Sequence, residues 1–334
     1  MKIITVEEHF ESATVTNRII GLTEKLPQAK LSPEMKHYMA TTLPSDALMQ
    51  DVTDYRLPFM DAHHIDMQIL SYGNASPQNL APHDAIELCQ IANNQLAAVV
   101  RQYPKRFRAL AVLPVGDPIA AAAELERAVV TLDFKGVLLK GNYNNQFFDN
   151  PRFFPIFEMA ARLDVPVYFH PSFVPSDVSR HYYASSEWSD VITGIFSSAG
   201  YGWHMDIGIQ VIRMILSGIF DKLPTLKLIS GHWGEMVPLF LERLDDELNA
   251  HVHLKNAVSD YYRNNVYVTP SGMLTQPQLS FLLEEMGANH ILYSLDYPYK
   301  QPTKSESFLQ TKGLSESQRH AIAHGNAEQL FHLS

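Results

Sequence analysis

Short apolar runs and helical stretches take turns along the whole chain, and that alternation constrains the fold more than any single motif. Eight runs begin at Ile3, Asp66, Arg108, Lys135, Val165, Leu226, Asn265 and His290. Between them lie helical patterns: an amphipathic stretch from His83 to Tyr103, others opened by Asp117-Pro118 and Asn150-Pro151, and later ones from about Gly202 to Ile219, from about Glu235, from Gln276 to Met286 and from Ser315 to Leu330. Asp or Asn followed by Pro supplies an N-cap and a first-turn residue together. Short apolar runs bounded by turn residues read as buried strands. Strand and helix in strict alternation imply parallel strands joined by right-handed crossovers. Eight such units in 334 residues predict a closed (β/α)8 TIM barrel, one domain spanning 1–334. The rival doubly wound sheet usually places a glycine-rich phosphate loop after its first strand. Here the first run ends instead in Glu7-Glu8-His9.

Two segments are too long for plain connections. Residues 11–58, after the first run, carry Pro27, Pro33, Pro44 and Pro58 among short helical pieces. A helix is expected over much of Asp46 to His63, with a break near Pro58. Residues 171–200, after the fifth run, are rich in aromatics and serine. Both read as lids over one end of the barrel. The charge balance of −10 argues against general nucleic-acid binding. One cysteine, Cys89, excludes an internal disulfide, and no apolar run approaches membrane-spanning length. With an N-terminus that turns acidic at Glu7, too early for a signal peptide, the expectation is a cytoplasmic protein with no membrane partner.

In a barrel of this kind, chemistry gathers where strands end. Those ends carry Glu7 and His9 after strand 1, Lys140 after strand 4, His170 after strand 5, His232 and Glu235 after strand 6, and Asp296 after strand 8. Glu7 and His9 are two apart, so an extended chain points them to one side. Singly, each has a plain structural reading: a solvated strand end, a core histidine, a turn-capping aspartate. Jointly, imidazoles and carboxylates without a thiolate suit Zn²⁺, Mn²⁺ or Fe²⁺ rather than Ca²⁺ or Mg²⁺. His63-His64 precedes a strand and reads as structural, and His251 and His253 as surface residues.

Glu7 and His9, Tyr168-Phe169-His170-Pro171, Gly231-His232 with Gly234-Glu235, and Ser294 with Asp296-Tyr297-Pro298 together resemble the amidohydrolase-related, metal-dependent decarboxylases. That group includes the γ-resorcylate, 2,3-dihydroxybenzoate, 5-carboxyvanillate and aminocarboxymuconate-semialdehyde decarboxylases. The resemblance extends over nearly the whole chain, through Asp149-Asn150-Pro151-Arg152-Phe153, Ser217-Gly218-Ile219-Phe220-Asp221 and Gly325-Asn326-Ala327 with Leu330-Phe331. It implies one divalent metal, zinc or manganese, on Glu7, His9, His170 and Asp296. It implies a catalytic role for Asp296, His232 and Glu235, and an Arg243 that reaches a neighbouring subunit's site in a homodimer or homotetramer. The implied reaction is non-oxidative decarboxylation of a small hydroxylated aromatic acid, with Asp296 protonating the ring. The alternative on the same scaffold is hydrolysis of a lactone or amide, and an inert binding barrel is the remaining class. Relatives tend to carry Asn where this chain has Lys140. Lys140 is therefore open between a cation facing the substrate carboxylate (the favoured reading), a carbamate ligand, and a residue folded away. Tyr297 is expected to contact substrate, with Tyr182, Tyr183 and Trp188 as further candidates for aromatic walls.

Overall fold

The computed structural model describes residues 1–24, 31–302 and 305–333, so Pro27 of the first insertion lies outside the described residues. Among the described residues seven strands form in chain order: β1 (Ile4–Phe10), β2 (Met67–Tyr72), β3 (Phe107–Ala109), β4 (Val137–Lys140), β5 (Val167–His170), β6 (Leu228–Ser230) and β7 (Val266–Val268). All neighbours are parallel, in the orders β1-β2-β3 and β4-β5-β6-β7. Short hydrogen-bonded links close the two sheets into a ring. Ala111 pairs with Val137 between β3 and β4. The eighth apolar run, residues 291–294, lies between β7 and β1: Leu292 N–H donates to Val268 O at 2.9 Å and Val6 N–H to Tyr293 O at 2.9 Å.

Alternation along the strands sorts the apolar residues into two cores. Ile4, Val6, Met67, Ile69, Leu138, Tyr168, Ile229, Tyr267 and Leu292 fill the barrel, and Ala327, Leu330 and Phe331 of the C-terminal helical run plug its lower end. The opposite row, with Leu70, Leu139, Phe169, Leu228 and Val268, packs outward against the helices. Residues two beyond an inward apolar side chain therefore face the upper mouth, as His170 does after Tyr168.

Several helix limits differ from expectation for local reasons. The break in the first insertion falls at residues 51–55, not at Pro58. The Asp51 carboxylate accepts from the N–H groups of Asp54, Tyr55 and Arg56, each at 2.9 Å, and so starts a fresh helix, Arg56–Ala62. Pro58 sits in that helix's first turn, where a missing N–H costs nothing. The helix expected from Glu235 begins later, as a 3₁₀ turn Val237–Phe240 followed by Leu241–Leu248, because Glu235 and Met236 both have positive φ. The two insertions dock on each other: Ser32 Oγ donates to Asp190 Oδ1 at 2.7 Å. Among the described residues no helix is long and apolar enough to cross a membrane.

Candidate active site

β1 does not run straight into the site. Pairing with β2 slips between Val6 and Glu8, and Glu7 takes φ 71°. This bulge inserts one residue, so that Glu7 and His9, rather than Glu8, continue the inward row begun by Ile4 and Val6. Their ligand atoms meet those of His170 and Asp296, and all four groups lie within 4.8 Å of one another. Each is oriented from behind. Ser71 Oγ lies 3.2 Å from His9 Nδ1, and His170 Nδ1 donates to Pro171 O at 2.8 Å, which leaves both Nε2 atoms to the centre. Glu7 Oε2 accepts from Thr269 Oγ1 at 3.0 Å and from Ser271 Oγ, and Tyr168 OH joins that network through Thr269.

The donor set fits a divalent ion. Glu7 Oε1 and His9 Nε2 are fully buried and lack any hydrogen-bond partner among the described residues. Glu7 Oε1 lies 3.6 Å from His170 Nε2, and His9 Nε2 lies 3.2 Å from Asp296 Oδ1. A buried carboxylate oxygen and a buried imidazole nitrogen left unpaired side by side are costly unless a cation joins them. Burial, with the nearby Lys140 charge, pushes the His9 imidazole down to about 3, and burial drives His170 well below the usual range, so both present free lone pairs. Burial raises Asp296 to about 7, against the pull of His232, Lys300 and Lys140. Gly231 passes so close that a Cβ there would meet Ser271 Oγ at 2.7 Å and Glu7 Oε1 at 3.1 Å.

His232 and Glu235 stand beside this centre. His232 Nδ1 lies 2.8 Å from Glu235 Oε1. Burial would lower the His232 imidazole, but the Glu235 charge and hydrogen bond, with Glu7 and Asp296, outweigh it and hold it up at about 9. Glu7, His232, Glu235 and Asp296 all adopt positive φ, between 46° and 71°. Such backbone costs roughly 1–3 kcal/mol per residue and persists where the surrounding structure enforces it.

One enforcer was invisible in the sequence. Glu8, fully buried, accepts from Leu295 N–H through Oε1 and from Tyr297 N–H through Oε2, each at 3.0 Å, and so clamps the peptide on both sides of Asp296. Burial raises its carboxyl to about 8. Glu8→Gln replaces one acceptor by an N–H that faces another N–H. Above about pH 8, where the carboxylate is ionised and both oxygens accept, we expect a loss of about 1–3 kcal/mol in chemical denaturation and a lower kcat at unchanged metal content.

Other expected site residues lie elsewhere. Lys140 is buried at the end of β4 and donates from Nζ to Gly73 O, facing the Glu11 carboxylate; burial lowers its ammonium to about 8. It is absent from the wall of the cavity above the centre, whose volume is about 130 Å³. The Tyr297 ring is in the core, 4.4 Å from the Phe59 ring and under the Arg56 guanidinium. Tyr299, Trp203 and Tyr38 form the aromatic wall, while Tyr182 is 69% exposed and Tyr183 packs against Phe196. Arg243 is far out on its helix, its side chain 72% exposed and paired with Glu247. His251 and His253 are exposed, as expected.

Residues 37–333 match the amidohydrolase family, and the chain belongs to it. It is 35% identical to a γ-resorcylate decarboxylase of Polaromonas over 99% of this chain and 98% of that one. An amidohydrolase structure from Staphylococcus aureus superposes with a TM-score of 0.87 at 42% identity, covering both chains in full. A Polaromonas dihydroxybenzoic acid decarboxylase, solved with manganese and the inhibitor 2-nitroresorcinol, superposes with a TM-score of 0.83 at 31% identity over 99% of this chain and 97% of that one.

Proposed function

We propose that this chain is a metal-dependent, non-oxidative decarboxylase of a hydroxylated aromatic carboxylic acid, a carbon–carbon lyase. The observation that carries the reading is the buried Glu7, His9, His170 and Asp296 constellation with a raised carboxyl and a raised imidazole beside it. It is supported by a relative that acts on γ-resorcylate and by a neighbouring structure holding manganese and a nitroresorcinol. Manganese is the favoured ion, with zinc the alternative. A divalent ion held by the four residues would neutralise the substrate carboxylate and an ortho oxygen and fix the ring in place.

The chain's own groups supply the rest. Asp296 lies just past the run after β7, and in the metal-free chain burial raises its carboxyl to about 7, which makes it the group in the site suited to take up and give back a proton near neutral pH. It delivers that proton to the ring carbon bearing the carboxylate. The carbon–carbon bond then breaks, its electron pair restores the aromatic ring, and carbon dioxide leaves. His232, protonated and backed by Glu235, keeps positive charge beside the phenolic oxygen and Asp296. Lys140 stays a plain cation whose field reaches Asp296, His9 and His170 from behind the wall. Tyr38, Trp203 and Tyr299 flank the ring and exclude water, and the small cavity limits the substrate to a small molecule. In this reading the chain works as one cytoplasmic barrel domain. Arg243, exposed in a single chain, acts on a partner's site in a homodimer or homotetramer, which sedimentation would reveal.

The test is a panel of hydroxybenzoates and lactones offered to manganese- and zinc-loaded protein. Release of carbon dioxide from a hydroxybenzoate is expected; lactone opening without gas release would replace the reading with the hydrolase one. The pH profile follows from His232. Its raised value means the active, protonated form persists through neutrality, so kcat should fall tenfold per pH unit as pH rises through about 9. A descending limb near 6.5, the value of an unperturbed histidine, would contradict this.

A further inference from the structure

The carboxylate behind His232 has a second imidazole on it. Glu235 is 2% exposed, and its two oxygens are divided between two rings: Oε1 lies 2.8 Å from His232 Nδ1 and Oε2 lies 2.8 Å from His204 Nδ1. The rings themselves are 4.3 Å apart between centroids. His204 comes from the helix Gly202–Leu216, directly after the second insertion, and no motif in the sequence marked it.

We propose that His204 is a positioning residue: it anchors the far oxygen of Glu235, so that the near oxygen holds His232 with Nδ1 protonated and its other nitrogen free toward the cavity. A carboxylate tied by one oxygen can still rotate about its terminal torsion, which is broad. Two donors on opposite oxygens remove that freedom, as the outer partners of metal-ligating histidines fix ring orientation elsewhere. His204 is itself fixed to the cavity wall. Its Nε2 lies 3.1 Å from Trp203 Nε1 and 3.1 Å from Ala199 O, and both residues line the cavity. With Nδ1 donating to Glu235, Nε2 serves one of these two partners at a time, accepting the Trp203 N–H when it bears no proton and donating to the Ala199 carbonyl when it does, and either bond ties the ring to the wall. The chain of contacts thus runs from the wall that would touch substrate, through His204 and Glu235, to His232.

This inference takes its substrate from the decarboxylase reading but is tested separately from it. The experiment uses full-length, metal-loaded His204→Leu and His204→Asn, assayed on whichever panel compound the wild type consumes. His204→Leu keeps the volume and loses the donor. It should lower kcat by about 10–100-fold with KM nearly unchanged and metal content equal. The basic limb of its kcat profile should move to lower pH, because a swinging carboxylate no longer supports the His232 cation. His204→Asn places an amide N–H near the Nδ1 position and should recover most of kcat. The proposal is overturned if His204→Leu matches wild type in kcat and profile. It is also overturned if Leu and Asn are equally impaired, since packing alone would then account for the loss. If the wild type opens lactones instead of releasing carbon dioxide, the functional reading fails while the Leu-to-Asn ratio on that reaction still judges His204.

Discussion

Asp296→Asn protein should stay folded, retain its metal, and lose turnover by about 10³- to 10⁴-fold, the upper range for removal of a general acid or base. The structure separates the two duties of this side chain. As a ligand it is one of four, at the more open edge of the set, with a side chain 13% exposed. In the metal-free chain its carboxyl is raised to about 7 by burial, so the fold itself does not require a charge at this position. An amide oxygen can still face the ion, and Glu7, His9 and His170 remain. As an acid, however, Asp296 is the best matched group in the site: His232, held up at about 9, releases its proton less readily, and Lys140 is turned to Gly73. A thousandfold loss corresponds to about 4 kcal/mol of barrier. The measurement pairs kcat with metal content on the same preparation. Full activity in the variant would remove Asp296 from the chemistry, and metal loss in step with activity would reduce it to a ligand.

The barrel was legible because its signal is repeated. Eight apolar runs and their helices state the same period over and over, and the strand ends then follow by counting. Even the eighth run, which bonds to its neighbours by isolated links, was visible as an apolar stretch. What stayed hidden depends on single-residue departures from periodicity. Strict alternation from Ile4 and Val6 puts Glu8 inward. Only the bulge at Glu7 reverses the assignment, and nothing local in Val6-Glu7-Glu8-His9 announces it. The same holds for Tyr297 and Tyr299, where the backbone around Asp296, at φ 62°, decides which ring faces the cavity. Thr269 and Ser271 had a usable signal, since they follow β7, the one late strand end to which no site residue was assigned. His204 had none: it sits on a helix, and its role exists only because the fold brings that helix against the Glu235 turn.

Glu7→Gln is the variant in which stability and function should move in opposite directions. In wild type, burial and the nearby Asp296 charge raise the Glu7 carboxyl, so holding it charged without metal is a cost that the His232 cation and the hydroxyls of Thr269 and Ser271 only partly offset. Without metal, the neutral amide should therefore be as stable as the carboxylate or more so, because an uncompensated buried charge has been removed. With metal the order should reverse. Glu7 is fully buried, and its free oxygen faces His170 where the ion would sit. Outer partners of metal ligands typically contribute 10–100-fold in affinity, so an anionic ligand itself should contribute about a thousandfold or more. A ligand at about a hundred times its Kd stabilises wild type by about 2.7 kcal/mol, and the variant should gain almost none of this at the same manganese concentration. Thermal melts of both proteins with and without added manganese read the effect directly. The expected pattern is a large manganese-dependent rise for wild type, a flat response for Glu7→Gln, and a metal-free variant that melts no lower than metal-free wild type. Equal manganese responses would show that Glu7 is a structural carboxylate. A metal-free variant that melts far lower would show that its bonds to Thr269 and Ser271, and not the ion, are the reason a buried glutamate occupies this bulge.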